Sequence, residues 1–258
     1  MEVALGNLDF MRPLRVNRFK QDPAHCAIAA CAAVANYYNK EVNYELATHI
    51  AHKEVTKQTN EGLYSGQIGL LLNHLGFSKV KVITCNLDNV DYAWAKMTKP
   101  QIINEITTVL HSRDPWINPD KRYELLSFRD FLTCPGFSNS LKIDHYFAEW
   151  IRKALDKGLP IVISFNWNMF FKHPNWSMAG EPDSIRGVPE YHAVVVRGYN
   201  DKEVHIVDSH WEHYKRRLKQ YRDGYYTISW EELMTVMGTG DVIIPEKYSS
   251  KKLKYELV

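Results

Sequence analysis

The sequence predicts an α+β fold, and three observations carry that expectation. Helix-forming segments dominate the first two-thirds of the 258 residues. Strand-forming segments dominate the last third, which points to an antiparallel sheet following a helical half. No internal repeat or low-complexity linker divides the two, so residues 1–258 are read as one domain with a possible insertion around 84–150.

Residues 1–20 read as irregular. Asp22-Pro23 then pairs an N-cap acceptor with the residue best tolerated at a first helical position, predicting a helix through Tyr38. From Cys26 onward this segment is small-sided and apolar all round, as suits a central helix with Cys26 in its first turn. A second helix is expected over 44–57. Ser65 caps a third over 66–75, which Gly76 stops. Residues 77–84 alternate as a strand, and Pro100 opens a helix through His111. The turn-rich stretch 112–122 reads as an exposed excursion.

Residues 141–157 are expected as a helix ended by Gly158, followed by a buried strand over 159–165. The aromatic, Pro- and Gly-containing segment 166–189 is too long for a plain connection and suggests a lid or binding wall. Strands are expected at 191–199, 203–209 and 225–228. Ser229 and Glu232 form a capping box for a short helix to Met237, and a last strand covers 241–245.

Bulk properties exclude several classes. The 32 basic and 30 acidic residues nearly cancel, which gives no electrostatic reason to expect nucleic acid or an anionic membrane as a partner. No apolar run approaches the ~18 residues of a spanning helix, and the first residues lack the basic flank and apolar core of a signal peptide. The four cysteines form no CxxC pair or framework spacing, which fits reduced thiols and a cytoplasmic location.

Cys26 is the first candidate for chemistry. A thiol in the first turn of a helix meets the positive end of the macrodipole and unpaired N–H groups, both of which favour thiolate. A buried structural cysteine would leave the same local signature, so what decides is its company. A thiolate nucleophile needs a histidine to share its proton and a group to orient that histidine. His25 is disfavoured because adjacent helical residues diverge by about 100°. His192 begins an apolar strand, and the next strand ends in Asp208. If the hairpin folds symmetrically about Asn200, the two are directly opposed with Cβ atoms about 4.5–5.5 Å apart. That separation suits a carboxylate fixing an imidazole tautomer.

The order Gln21, Cys26, His192, Asp208 resembles papain-like cysteine peptidases. The details are most similar to the bacteriocin-leader (double-glycine) peptidases and their stand-alone relatives. The resemblance rests on Gln21 and the run from Cys26, on 62–77, on 154–163, on 192–208 and on 228–233, about half the chain in the family's order. Ala27 stands where that family usually has glycine. The resemblance implies a papain-like fold, a peptide or protein substrate, and cleavage of an amide bond through an acyl-enzyme on Cys26. His192 would be the base, Asp208 its orienter and Gln21 the side-chain half of an oxyanion hole. Trp167, Trp176 and Tyr191 would line the substrate cleft. An acyl-transferring or catalytically inactive peptide-binding relative on the same fold is the alternative. No cofactor is implied. His205, His210 and His213 lack the Cys or carboxylate framework of a metal site, and the basic cluster at 215–219 reads as a solvated face.

Overall fold

A computed structural model describes residues 13–56, 62–112, 117–175, 181–185, 187, 189–210 and 223–250. Its centre is a seven-stranded sheet in the order β2-β1-β7-β3-β4-β5-β6. The strands are β1 (Phe77–Thr84), β2 (Ser140–Ile143), β3 (Ile161–Asn166), β4 (Tyr191–Tyr199), β5 (Glu203–Val207), β6 (Tyr225–Ser229) and β7 (Asp241–Tyr248). Every neighbouring pair is antiparallel except β1 and β2.

Alternation along the strands splits the core in two. Ala193, Val195, Val207 and Ile243 face one helical layer: α1 (Cys26–Tyr38), α2 (Tyr44–Ile50), α3 (Ser65–His74), α4 (Lys99–His111) and α5 (Pro119–Thr133). Val194, Val196, Ile206 and Val242 face α6 (Phe147–Leu155), α7 (Trp167–Phe171) and α8 (Trp230–Val236). The α+β class and the papain-like plan, a central cysteine-bearing helix against an antiparallel sheet, stand as expected. α1 is buried from Ala27 to Asn36, and small residues (Ala29, Ala30, Ala33) let it lie close on β4.

Several elements differ from the sequence reading. Asp22 does not cap α1; the helix begins after His25, with no side-chain cap. α2 ends at Ile50, and residues 51–55 continue as a π-helical turn. Part of the supposed excursion at 112–122 is the start of α5, where Asn118 Oδ1 accepts the Lys121 N–H at 2.7 Å and Pro119 opens the helix. The front of the expected 141–157 helix is instead β2, because Leu141 and Ile143 bury on either side of exposed Lys142 at the strand period. Asp144 then breaks the strand by accepting the Tyr146 N–H and the Trp150 indole N–H, each at 3.0 Å. A short helix, α7, lies inside the expected 166–189 loop, its first turn capped by Asn166. β7 runs past Pro245, which is tolerated because β3 pairs with β7 only as far as Ile243.

α3 and α5 touch most closely at Gly66, where a Cβ would stand 2.2 Å from the Ser127 carbonyl oxygen. Gly66→Ala is therefore expected to destabilise the fold by about 1–3 kcal/mol through overpacking. Thermal or denaturant unfolding measures it, and unchanged stability would show that the two helices separate freely.

Candidate active site

The loop ahead of α1 is held from outside rather than capped from within. Tyr44 Oη donates to Asp22 Oδ2 at 3.1 Å, accepts the Asp22 N–H at 2.9 Å, and lies 3.0 Å from His25 Nδ1. These contacts tie residues 22–25 to α2 and explain why Asp22 is unavailable as a cap. Ala24 takes a left-handed conformation, φ 62°, just before the helix. A non-glycine residue there carries a strain of order 1 kcal/mol and holds only where its surroundings over-determine it. The result fixes Cys26 as the first residue of α1, partly exposed, with its N–H unclaimed by the helix.

His192 and Asp208 come together, though by a different register from the symmetric hairpin expected. Val195 pairs with Val207 and Val196 with Ile206, and a bulge follows before Gly198. Extending that register past Val207 sets Asp208 diagonal to His192 instead of opposite it. The shift is by two residues, so both stay on one face, and diagonal neighbours about 7–8 Å apart remain within reach of long side chains. His192 Nε2–H donates to Asp208 Oδ1 at 2.8 Å.

Asp208 is fully buried, and its charge is met by more than the histidine. The His210 N–H donates to Oδ1 at 2.8 Å, and Tyr226 Oη donates to Oδ2 at 3.1 Å. Its backbone is clamped too. Arg18 donates to the carbonyls of Asp208 and Ser209 at 2.8 and 3.0 Å, and the Asp208 N–H donates to the Gly224 carbonyl at 2.8 Å. Gly224, at φ 87°, admits no side chain, since a Cβ would stand 2.1 Å from the Arg18 side chain.

The electrostatics follow from this packing. Burial alone would pull the His192 imidazole down. The Asp208 charge and hydrogen bonds to Asp208 and Cys26 outweigh it and raise the group to about 10. Burial pushes the Cys26 thiol up, but the hydrogen bond and positive charge of His192, with the Ala193 N–H at 3.5 Å, bring it below its ordinary 9.0. The site thus favours a thiolate–imidazolium pair. Cys31, one helical turn further on and fully buried, shows the contrast: burial drives its thiol far up.

Cys26, His192 and Ala193 line one part of a cleft of about 560 Å³. Of the other residues singled out from sequence, Gln21 is not among those that line it; Ser209 Oγ donates to Gln21 Oε1 and leaves the amide N–H₂ free to donate elsewhere. Tyr191 lines the cleft, 44% exposed, its hydroxyl 2.7 Å from Thr239 Oγ1. Trp167 lies edge-on against His192 at a centroid distance of 4.8 Å, shielding the imidazole rather than lining the cleft. Trp176, His213 and 215–219 lie outside the described residues. Among the described residues no group of three or more His, Cys, Asp or Glu could hold a metal ion.

Sequence reasoning missed Arg18, Tyr226 and the cleft wall on α5. Arg18 acts across 190 residues and leaves no local signal. Tyr226 was legible in principle, since alternation along β6 sets it beside Ile206, on the face of Asp208. The signal for α5 was Asn118-Pro119, the same cap-and-proline pattern that proved misleading at Asp22-Pro23.

The model of the Peptidase_C39 like family matches residues 13–237, and the chain belongs to that family. A search of curated proteins found no match. Two solved structures are similar. One is a C39-like peptidase from Bacillus anthracis, 12% identical, covering 91% of this chain and 96% of that one, TM-score 0.40. The other is xylellain, a cysteine protease from Xylella fastidiosa, 14% identical, covering 93% of this chain and 85% of that one, TM-score 0.47. Family membership supports a peptidase role. No helix among the described residues is long and apolar enough to cross a membrane.

Asp208→Asn removes the strongest raising influence on His192 while leaving it buried. The imidazole is expected to titrate well below 10 in the variant, as followed by NMR of the ring. An unchanged titration would show that Asp208 does not hold the charge.

Proposed function

We propose that the protein is a cysteine peptidase that cleaves a peptide or amide bond through an acyl-enzyme on Cys26. The observation that carries this reading is the pairing of a lowered Cys26 thiol with a raised His192 imidazole beside a buried carboxylate, at the edge of an open cleft. The Cys26 thiolate attacks the carbonyl carbon, and the C–N bond breaks as the imidazolium gives its proton to the leaving amine. Water then attacks the thioester, giving a proton to His192, and thiolate and acid are released. Asp208 positions His192 and stabilises its charged form. The Gln21 amide and the Cys26 N–H donate to the oxyanion, a reading supported by the Ser209 bond that fixes the other end of the amide.

Cleavage of a peptide library by the native protein, with Cys26→Ala as control, tests the reading. Cleavage lost in Cys26→Ala, with a thioester adduct on Cys26 trapped by mass spectrometry, is expected. Persistent cleavage in Cys26→Ala would refute it. The competent form has Cys26 ionised and His192 protonated. The rate should therefore rise with pH below 9.0 and fall as His192 loses its proton near 10. Gln21→Ala should lower turnover ~10²–10³-fold with unfolding unchanged; a full-rate variant would remove Gln21 from the oxyanion site.

A further inference from the structure

The cleft at Cys26 extends to ionisable groups that the chemistry above leaves unused. Glu124 on α5 and Asp241 at the start of β7 both line it, at 8% and 7% exposure. Ser65, at the start of α3, serves both: its backbone N–H bonds Glu124 and its hydroxyl donates to Asp241 Oδ2. The remaining oxygens, Glu124 Oε1 and Asp241 Oδ1, are buried and form no hydrogen bond of good geometry, although the Thr84 hydroxyl is close enough to Asp241 to favour its charged form. Burial pushes both carboxyls up, Asp241 to about 6 despite the Ser65 and Thr84 hydroxyls, and Glu124 well above the usual range, with Asp241 adding repulsion.

Buried acceptors are normally satisfied, and two left open around Ser65 in one cleft call for a donor brought from outside. The sign of that donor follows from the surroundings. Asp88 and Asp120 also line the cleft, and among the described residues no lysine or arginine does. The cleft is the one onto which Cys26 opens, so a group delivered there travels on the peptide presented to the thiol. We propose that Glu124 and Asp241 form a specificity subsite for a lysine or arginine side chain of the substrate, its head between the two carboxylates. This rests on the peptidase reading for the identity of the ligand. It also gives part of the 84–150 segment a role, because α5 carries Glu124 into the cleft wall.

The test is binding to the full-length Cys26→Ala protein of acetylated, amidated peptides from a positional library. Each position is fixed in turn as lysine or as uncharged norleucine. One position is expected to bind lysine at least ~10-fold more tightly than norleucine. That preference should vanish in Glu124→Gln/Asp241→Asn while norleucine peptides bind as before. Equal affinity at every position, or a preference that survives in the double variant, would overturn the subsite; the first comparison needs no subsite variant to fold. Labelling of Cys26 in the native protein by a peptide bearing a thiol-reactive group reports on the peptidase reading separately. Labelling without lysine preference overturns the subsite alone. Lysine-preferring binding without labelling overturns the peptidase reading and leaves the subsite standing.

Discussion

The hydrogen bond between His192 Nε2 and Asp208 Oδ1 is the interaction on which the rest of the site depends. Burying a carboxylate is costly unless further donors meet it. Here the His210 N–H and the Tyr226 hydroxyl share that task with the imidazole. Phe165 and Trp167 enclose the ring at 5.8 and 4.8 Å, so the charge on Asp208 acts on His192 with little screening by water. A raised imidazole in turn lowers the Cys26 thiol, and the charge on Asp208 reaches the sulfur chiefly through His192.

The scaffold holds these three side chains at the meeting of two elements with different demands. α1 must bring Cys26 to the start of β4, which the alanines on its sheet-facing side permit by allowing close approach. The turn after β5 must hold Asp208 rigidly, which Arg18 and Gly224 achieve through its backbone. α3 and α5, in close contact at Gly66, contribute Ser65, Ile68, Glu124 and Phe128 to the cleft lining, apart from the elements that carry Cys26 and His192.

Legibility in the sequence followed the range of the forces involved. β1 and β4 were readable to the residue, because alternation and turn chemistry act within a few positions. Cys26, His192 and Asp208 were legible as a combination of types in order, although the hairpin register was misjudged by two residues and only the parity of that error kept the pair together. Asp22-Pro23 and Asn118-Pro119 carry the same local signal with opposite outcomes. Tyr44 captures Asp22 from another helix, whereas Asn118 is left free to cap α5. Strand β2 was mistaken for helix because its four residues depend on pairing with β1, some sixty positions earlier. Arg18 and the Glu124–Asp241 pair were beyond reach for the same reason.

The central claim, that His192 and Asp208 hold Cys26 as a thiolate, is tested most directly by the pH dependence of alkylation at each cysteine. Cys26 is expected to react fastest and to keep reacting below pH 9.0, with that advantage lost in His192→Ala. Cys31 and Cys85, whose thiols burial pushes up, should lag far behind. A Cys26 that reacts no faster than Cys85, or whose rate ignores the loss of His192, would contradict it.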